Sequence, residues 1–127
     1  MADAYQRLIA VWNGGSTDAL PSIVSDDYRG HMLHLPAGER DAETYAAWVH
    51  DFRKANPTTR FEVVEQTFAG DQVVSRLVAT RHNPGLGPEF ANGINICRVD
   101  PKGLVAEEWA IWSTWMPSGV SEVVSGE

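Results

Sequence analysis

Helical spacing of apolar residues dominates the first half of the chain, and alternation at every second residue dominates the second half. Tyr5, Leu8, Ile9 and Trp12 follow i, i+3, i+4, i+7, which places them on one helical face, with Asp3, Gln6 and Arg7 on the other. Asn13-Gly14-Gly15 stops that helix. Ser16-Thr17-Asp18 offers caps for a short second helix containing Leu20, Ile23 and Val24, with Pro21 tolerated in its first turn. Tyr28 to Leu35 is too short for another helix and ends at Pro36-Ala37-Gly38, so it reads as a strand or extended arm. Asp41 is placed to cap a third helix in which Tyr45, Trp48, Val49 and Phe52 share a face, and Asn56-Pro57 ends it.

From Arg60 the period is two. Arg60–Phe68, Gln72–His82, Ala91–Val99 and Val105–Trp115 are rich in β-branched and aromatic residues. Ala69-Gly70-Asp71, Asn83-Pro84-Gly85 and Asp100-Pro101-Lys102-Gly103 are the turns between them. Helices followed by an antiparallel meander predict an α+β fold, three N-terminal helices packed on a sheet. One domain over residues 1–117 is expected, with the Ser/Gly/Glu-rich residues 118–127 as a loose tail.

Composition narrows the function classes. A chain of 127 residues can bury about two thirds of the surface it exposes when unfolded, so a core is available without metals or disulfides. The net charge of −7, with no basic run, argues against a nucleic-acid partner. Cys97 is the sole cysteine, which excludes an internal disulfide and cysteine-based zinc spacing and leaves a small buried hydrophobe on a strand. The N-terminal residues lack the pattern of a secretion signal and no apolar run is long enough to cross a bilayer. The expectation is a cytoplasmic protein without membrane contact.

Several motifs, in order, resemble the SnoaL-like branch of the nuclear-transport-factor-2-like superfamily, which also contains ketosteroid isomerases and limonene-epoxide hydrolases. Trp12-Asn13 with Gly15, Asp18 and Leu20 resembles the family's helical opening, and Ser25-Asp26-Asp27-Tyr28 with His31 its aspartate-rich first strand. Gly70-Asp71-Gln72-Val73-Val74-Ser75-Arg76 resembles the turn and central strand, and Gly103-Leu104-Val105-Ala106-Glu107-Glu108-Trp109 the closing strand. The resemblance covers roughly residues 4 to 115. It implies a cone whose helices and concave sheet face enclose a pocket for a small hydrophobic molecule, usually in a homodimer and without cofactor or metal.

The resemblance also implies which residues face that pocket. Alternation in Gln72–His82 separates Val74, Arg76, Val78, Thr80 and His82 from Val73, Ser75, Leu77, Ala79 and Arg81, and the first set corresponds to the family's pocket side. Arg76 is then a permanent cation able to hold an enolate, or alternatively a surface arginine crossing a neighbouring strand. On the closing strand Glu108, Ala110 and Trp112 share one face, and Glu107, Trp109 and Ile111 the other. Ala110 stands where SnoaL-like cyclases and epoxide hydrolases carry an acid/base aspartate, and Val78 where the epoxide hydrolases carry another. Glu108 either supplies the displaced carboxylate, its pKa raised by an apolar pocket, or is a rim carboxylate.

His31 occupies a position of the family's pocket histidine, with His34 and His82 as further candidates and His50 solvated. His31 and His34 alone do not make a metal site. Trp12 and Trp48 lie on helix faces that pack as core and that, in the cone the resemblance implies, also form the pocket wall, while Trp112 shares the strand face of Ala110 and is the ring placed to stack on a flat ligand. Three readings follow: an acid/base enzyme of the cyclase or isomerase type using His31 or Glu108 with Arg76 on a small hydrophobic carbonyl compound; a binder that has lost its aspartate at Ala110; or a member whose dimer is its main function.

Overall fold

The computed structural model describes residues 2–118. The expected tail, apart from Ser118, lies outside the described residues.

Helix α1, Ala2–Trp12, buries Tyr5, Leu8 and Val11 on its inner face, and Gly14, at φ +119°, turns the chain out of it. The expected second helix is a 3₁₀ turn, Thr17–Ser22, capped by Ser16, whose side chain accepts from the Asp18 amide. Pro21 lies inside this turn and has no N–H to carry an α-helical ladder onward, so Val24 already begins a strand. Two α-helices and one 3₁₀ turn thus stand, among the described residues, where three helices were expected.

Strand β1 spans Val24–Met32 and β2 spans Glu39–Asp41. Helix α2, Ala42–Ala55, starts as expected from Asp41: the Asp41 carboxylate accepts from the Thr44 amide (2.8 Å) and the Thr44 hydroxyl accepts from the Asp41 amide (2.9 Å). It buries Tyr45 and Val49. The long strands follow as β3 (Arg60–Ala69), β4 (Gln72–Asn83), β5 (Gly87–Val99) and β6 (Val105–Trp112), with the two-residue β7 (Met116–Pro117) paired to β5. Strand β6 ends at Trp112, three residues short of the expected limit, and the chain then crosses to β7.

The sheet order is β2-β1-β6-β5-β4-β3. Adjacent pairs are antiparallel except β1 and β6, which run parallel. Those two strands are separated by most of the chain, so no tight hairpin dictates their relative direction. Register shifts between Val63 and Glu65, Arg98 and Val99, and Val24 and Arg29 accompany the curvature of the open sheet.

Tyr28, Leu8, Leu20, Val49, Val73, Leu77 and Val105 are almost fully buried between the helical layer and the sheet. Such a side chain stabilises the fold by about 1.5–3 kcal/mol relative to exposure. The inner face of β4 therefore carries Val73, Ser75, Leu77 and Ala79, opposite to the phase expected from the resemblance. Both residue sets contain two large aliphatics, so alternation alone does not select the inward one. The selected set is the one whose interior part carries no charge. Among the described residues, no helix is long and apolar enough to cross a membrane.

Candidate active site

Between the helices and the concave sheet lies a cavity of about 420 Å³. The helices supply Tyr5, Trp12, Tyr45, Trp48 and Phe52 to its wall, and the strands supply Phe61, Ala79, Ala91, Ala110 and Trp112. Trp12 is central to the aromatic wall, with edge-on contacts to Tyr45, Trp48, Phe52 and Phe61 at centroid separations of 5.2 to 6.1 Å. Asn13, read from sequence as a helix stop, also ties this wall together. Its carboxamide donates to the Phe61 carbonyl (2.8 Å) and accepts from the Phe61 amide (2.7 Å), fixing β3 against the end of α1.

The alternation on β6 turns Glu108, Ala110 and Trp112 toward the cavity, and two glycines on neighbouring strands make room for what gathers there. A Cβ at Gly93 would lie 2.5 Å from the Trp112 indole, so only glycine lets that ring lie over β5. A Cβ at Gly30, the β1 neighbour of Glu108, would collide with the Tyr28 hydroxyl. With that path clear, the Tyr28 hydroxyl donates to Glu108 Oε1 (2.5 Å), while Asn95 Nδ2 donates to Glu108 Oε2 (2.6 Å).

Glu108 is only 4% exposed. Burial raises its pKa, against the two donors, which lower it. Among the described residues no basic side chain pairs with it. The charge of Glu108 in turn adds to the effect of burial on its neighbours. The Tyr5, Tyr28 and Tyr45 hydroxyls are held far above their ordinary range, and the Cys97 thiol is pushed up to about 12, chiefly by burial in each case. Cys97 is thus an inert buried thiol, in keeping with its reading from sequence.

Two tyrosine hydroxyls on the cavity wall have donor capacity. Tyr45 accepts from Trp12 Nε1 (2.8 Å) and so keeps its own proton for an acceptor, and Tyr5 lines the same space. His34 is exposed at the cavity edge, its pKa lowered mainly by partial burial against a smaller opposing hydrogen bond to the Ala110 backbone. Ser113, Thr114 and Trp115 also line the cavity. Trp115 is held there by the Arg81 guanidinium, 4.1 Å above its ring, and Arg81 is itself paired with Glu89 at 2.9 Å.

The residues singled out from sequence thus divide. Trp12, Trp48, Glu108, Ala110 and Trp112 line the cavity; His31, Arg76, Val78 and His82 do not. Arg76 lies on the outer face of β4, about half exposed and paired with Glu65 at 3.1 Å, so its alternative reading as a surface arginine is the correct one. Val78 and His82 follow the same phase outward. His31 is displaced for a related reason. Tyr28 and Met32 point inward, which puts His31 on the opposite face, stacked on Trp109 (5.5 Å between centroids, 18° between planes) and 2.8 Å from Glu107. Among the described residues, no group of three or more His, Cys, Asp or Glu side chains is arranged to hold a metal.

Sequence reasoning overlooked Asn95 and Tyr28 as partners of Glu108 and gave His34 less weight than His31. Asn95 was within reach, since it has the same parity on β5 as the buried Cys97 and is a lone amide between Gly93 and Cys97. Tyr28 was not, because its bond to Glu108 spans 80 residues across a parallel strand pair.

The comparisons with known proteins agree with this architecture. Wild-type IdmH from Streptomyces antibioticus, a candidate polyketide cyclase, is similar at 22% identity, covering 97% of this chain and 95% of that one with a TM-score of 0.75. A candidate polyketide cyclase from Bacillus cereus is similar at 27% identity over 87% of this chain and 72% of that one, TM-score 0.73. A candidate isomerase of the SnoaL-like family from Agrobacterium tumefaciens superposes with a TM-score of 0.72 at 15% identity, over 89% and 97% of the two chains. No curated protein matches the sequence. The sequence model of the SnoaL-like domain matches residues 5–108, most of the chain, and this protein belongs to the SnoaL-like family.

Proposed function

We propose that the protein is an acid/base enzyme of the cyclase or isomerase type, acting on a small hydrophobic carbonyl compound held in the cavity. The observation that carries this reading is Glu108, a carboxyl at the wall of an aromatic-lined cavity, buried, without a cationic partner among the described residues and with its pKa raised. A carboxyl shifted toward neutrality serves as both acceptor and donor of a proton.

In the proposed step the Glu108 carboxylate takes a proton from the carbon beside the substrate carbonyl, and the C–H electron pair becomes the enolate. Tyr45 or Tyr5 donates a hydrogen bond to the enolate oxygen, the role assigned from sequence to Arg76. Protonated Glu108 then returns the proton, to a different carbon in an isomerisation or to the alkoxide formed when the enolate carbon attacks a second carbonyl in a cyclisation. Tyr28 and Asn95 hold the carboxyl in place and are positioning residues.

The test is solvent-deuterium exchange at the acidic CH₂ of 2-tetralone, followed by NMR. Exchange above the buffer rate that disappears in a folded Glu108→Gln variant is expected; exchange unaffected by that substitution overturns the assignment.

Ala110, a methyl where the family's cyclases carry a carboxylate, favours a second reading, a cavity that only binds. Saturable quenching of tryptophan fluorescence by 2-tetralone without exchange supports it. The exposed outer face of Ile94 and Ile111 beside Trp109 further supports association as a homodimer, as a sedimentation mass of twice the chain would show and a monomer mass would refute.

A further inference from the structure

The Asn95 side chain has one half engaged and one half idle. Its Nδ2 donates to Glu108 Oε2, which fixes the orientation of the amide, and its Oδ1 is buried with no partner among the described residues. Asn95 is 4% exposed and belongs to the cavity lining. A buried amide oxygen without a donor is destabilising, and folded proteins leave few such atoms unless something else satisfies them.

The flanking positions do not supply that donor. Directly across on β6 stands the Ala110 methyl, which has no proton to donate, and directly across on β4 stands Ser75, whose hydroxyl accepts from Gln66 Nε2 at 3.1 Å and makes no hydrogen bond to Asn95 Oδ1. Ala110 puts only a methyl beside Asn95 on the cavity wall, so an occupant can approach the amide. The position that lacks the family's carboxylate is thus the cross-strand neighbour of an unsatisfied acceptor.

We propose that Asn95 makes the cavity selective for a ligand carrying an O–H donor, a hydroxyl or enol, placed against Asn95 Oδ1 beside Glu108. The inference rests on the reading of the cavity as a binding site and adds to it the polarity of the ligand. The carbonyl compound of the proposed reaction then bears a hydroxyl, or binds as its enol, at the end nearest β5. Asn95 is here a specificity residue as well as a positioning one.

A matched pair of probes tests this. 2-Naphthol and 2-methoxynaphthalene share a ring system and an oxygen, and only the first donates a hydrogen bond. Calorimetric titration of the wild-type protein should give roughly tenfold or more tighter binding of 2-naphthol, the range expected when a buried acceptor is either satisfied or left unpaired. Asn95→Leu should abolish the preference while retaining affinity for 2-methoxynaphthalene, and Asn95→Ala provides the same comparison if leucine disrupts folding. Equal wild-type affinities overturn the selectivity and leave the cavity reading standing. A preference that survives both substitutions assigns donor recognition to Glu108 and also overturns it. Failure of both probes to bind the wild-type protein defeats the cavity reading and this inference together.

Discussion

Glu107 and Glu108 are neighbours in sequence and chemically identical, yet β6 sends them to opposite sides of the sheet. Glu107 lies on the outer face, about a quarter exposed, 2.8 Å from His31 and 3.5 Å from Arg98. Glu108 lies on the inner face, buried, with two neutral donors and no cation among the described residues. The outer carboxylate has solvent and countercharges; the inner one has neither in sufficient measure, and burial raises its pKa. One residue of pleat separates a structural ion pair from a candidate proton carrier.

The largest expected effect falls on the inner member. Glu108→Gln should reduce turnover by a factor of about 10² or more, as loss of a general acid/base does, with circular dichroism unchanged. The same substitution should alter the pH dependence of stability. Because folding raises the Glu108 pKa, the unfolded chain ionises at this site first, and the stability contributed below the ordinary glutamate range is lost as pH rises through the higher folded value. Urea midpoints should therefore show a decline with rising pH that is absent in Glu108→Gln; identical pH profiles would contradict the buried-carboxyl description.

A packing change on the inner face comes next. Gly93→Val forces a side chain into the Trp112 ring and should cost about 1–3 kcal/mol by denaturant unfolding. Glu107→Gln, in contrast, removes only the partly exposed contacts with His31 and Arg98 and should cost less than about 1 kcal/mol, without effect on cavity binding. The smallest effect belongs to Arg76. Its pair with Glu65 is half exposed on both sides or more, and Arg76→Gln should change stability by no more than about 0.5 kcal/mol and leave exchange activity intact. Loss of activity in that variant would restore the arginine to the site.

The positions that sequence placed well are those where local chemistry leaves a single choice. Asp41 with Thr44 forms the cap that starts α2, and the i, i+3, i+4, i+7 stripes through Trp12 and Trp48 bury one helical face because each helix has only one apolar side. On β6 the same logic holds for Trp112, over a glycine that admits it. Strand β4 was different: Val74 and Val78 are as apolar as Val73 and Leu77, and the inward choice of phase removed Arg76, Val78 and His82 from the cavity together. His31 was lost by one residue of parity against Tyr28 and Met32.

By itself the sequence determined the helix stripes, the caps, the turns, the α+β class and the family, since each depends on residues close in the chain or on their order. Tertiary structure alone decided which face of β4 turns inward, that β1 lies parallel to β6, and that Tyr28 and Asn95 meet at Glu108. Those outcomes depend on pairings between distant strands, and the free energy that selects them comes from packing and desolvation that exist only once the sheet and helices have closed over the cavity.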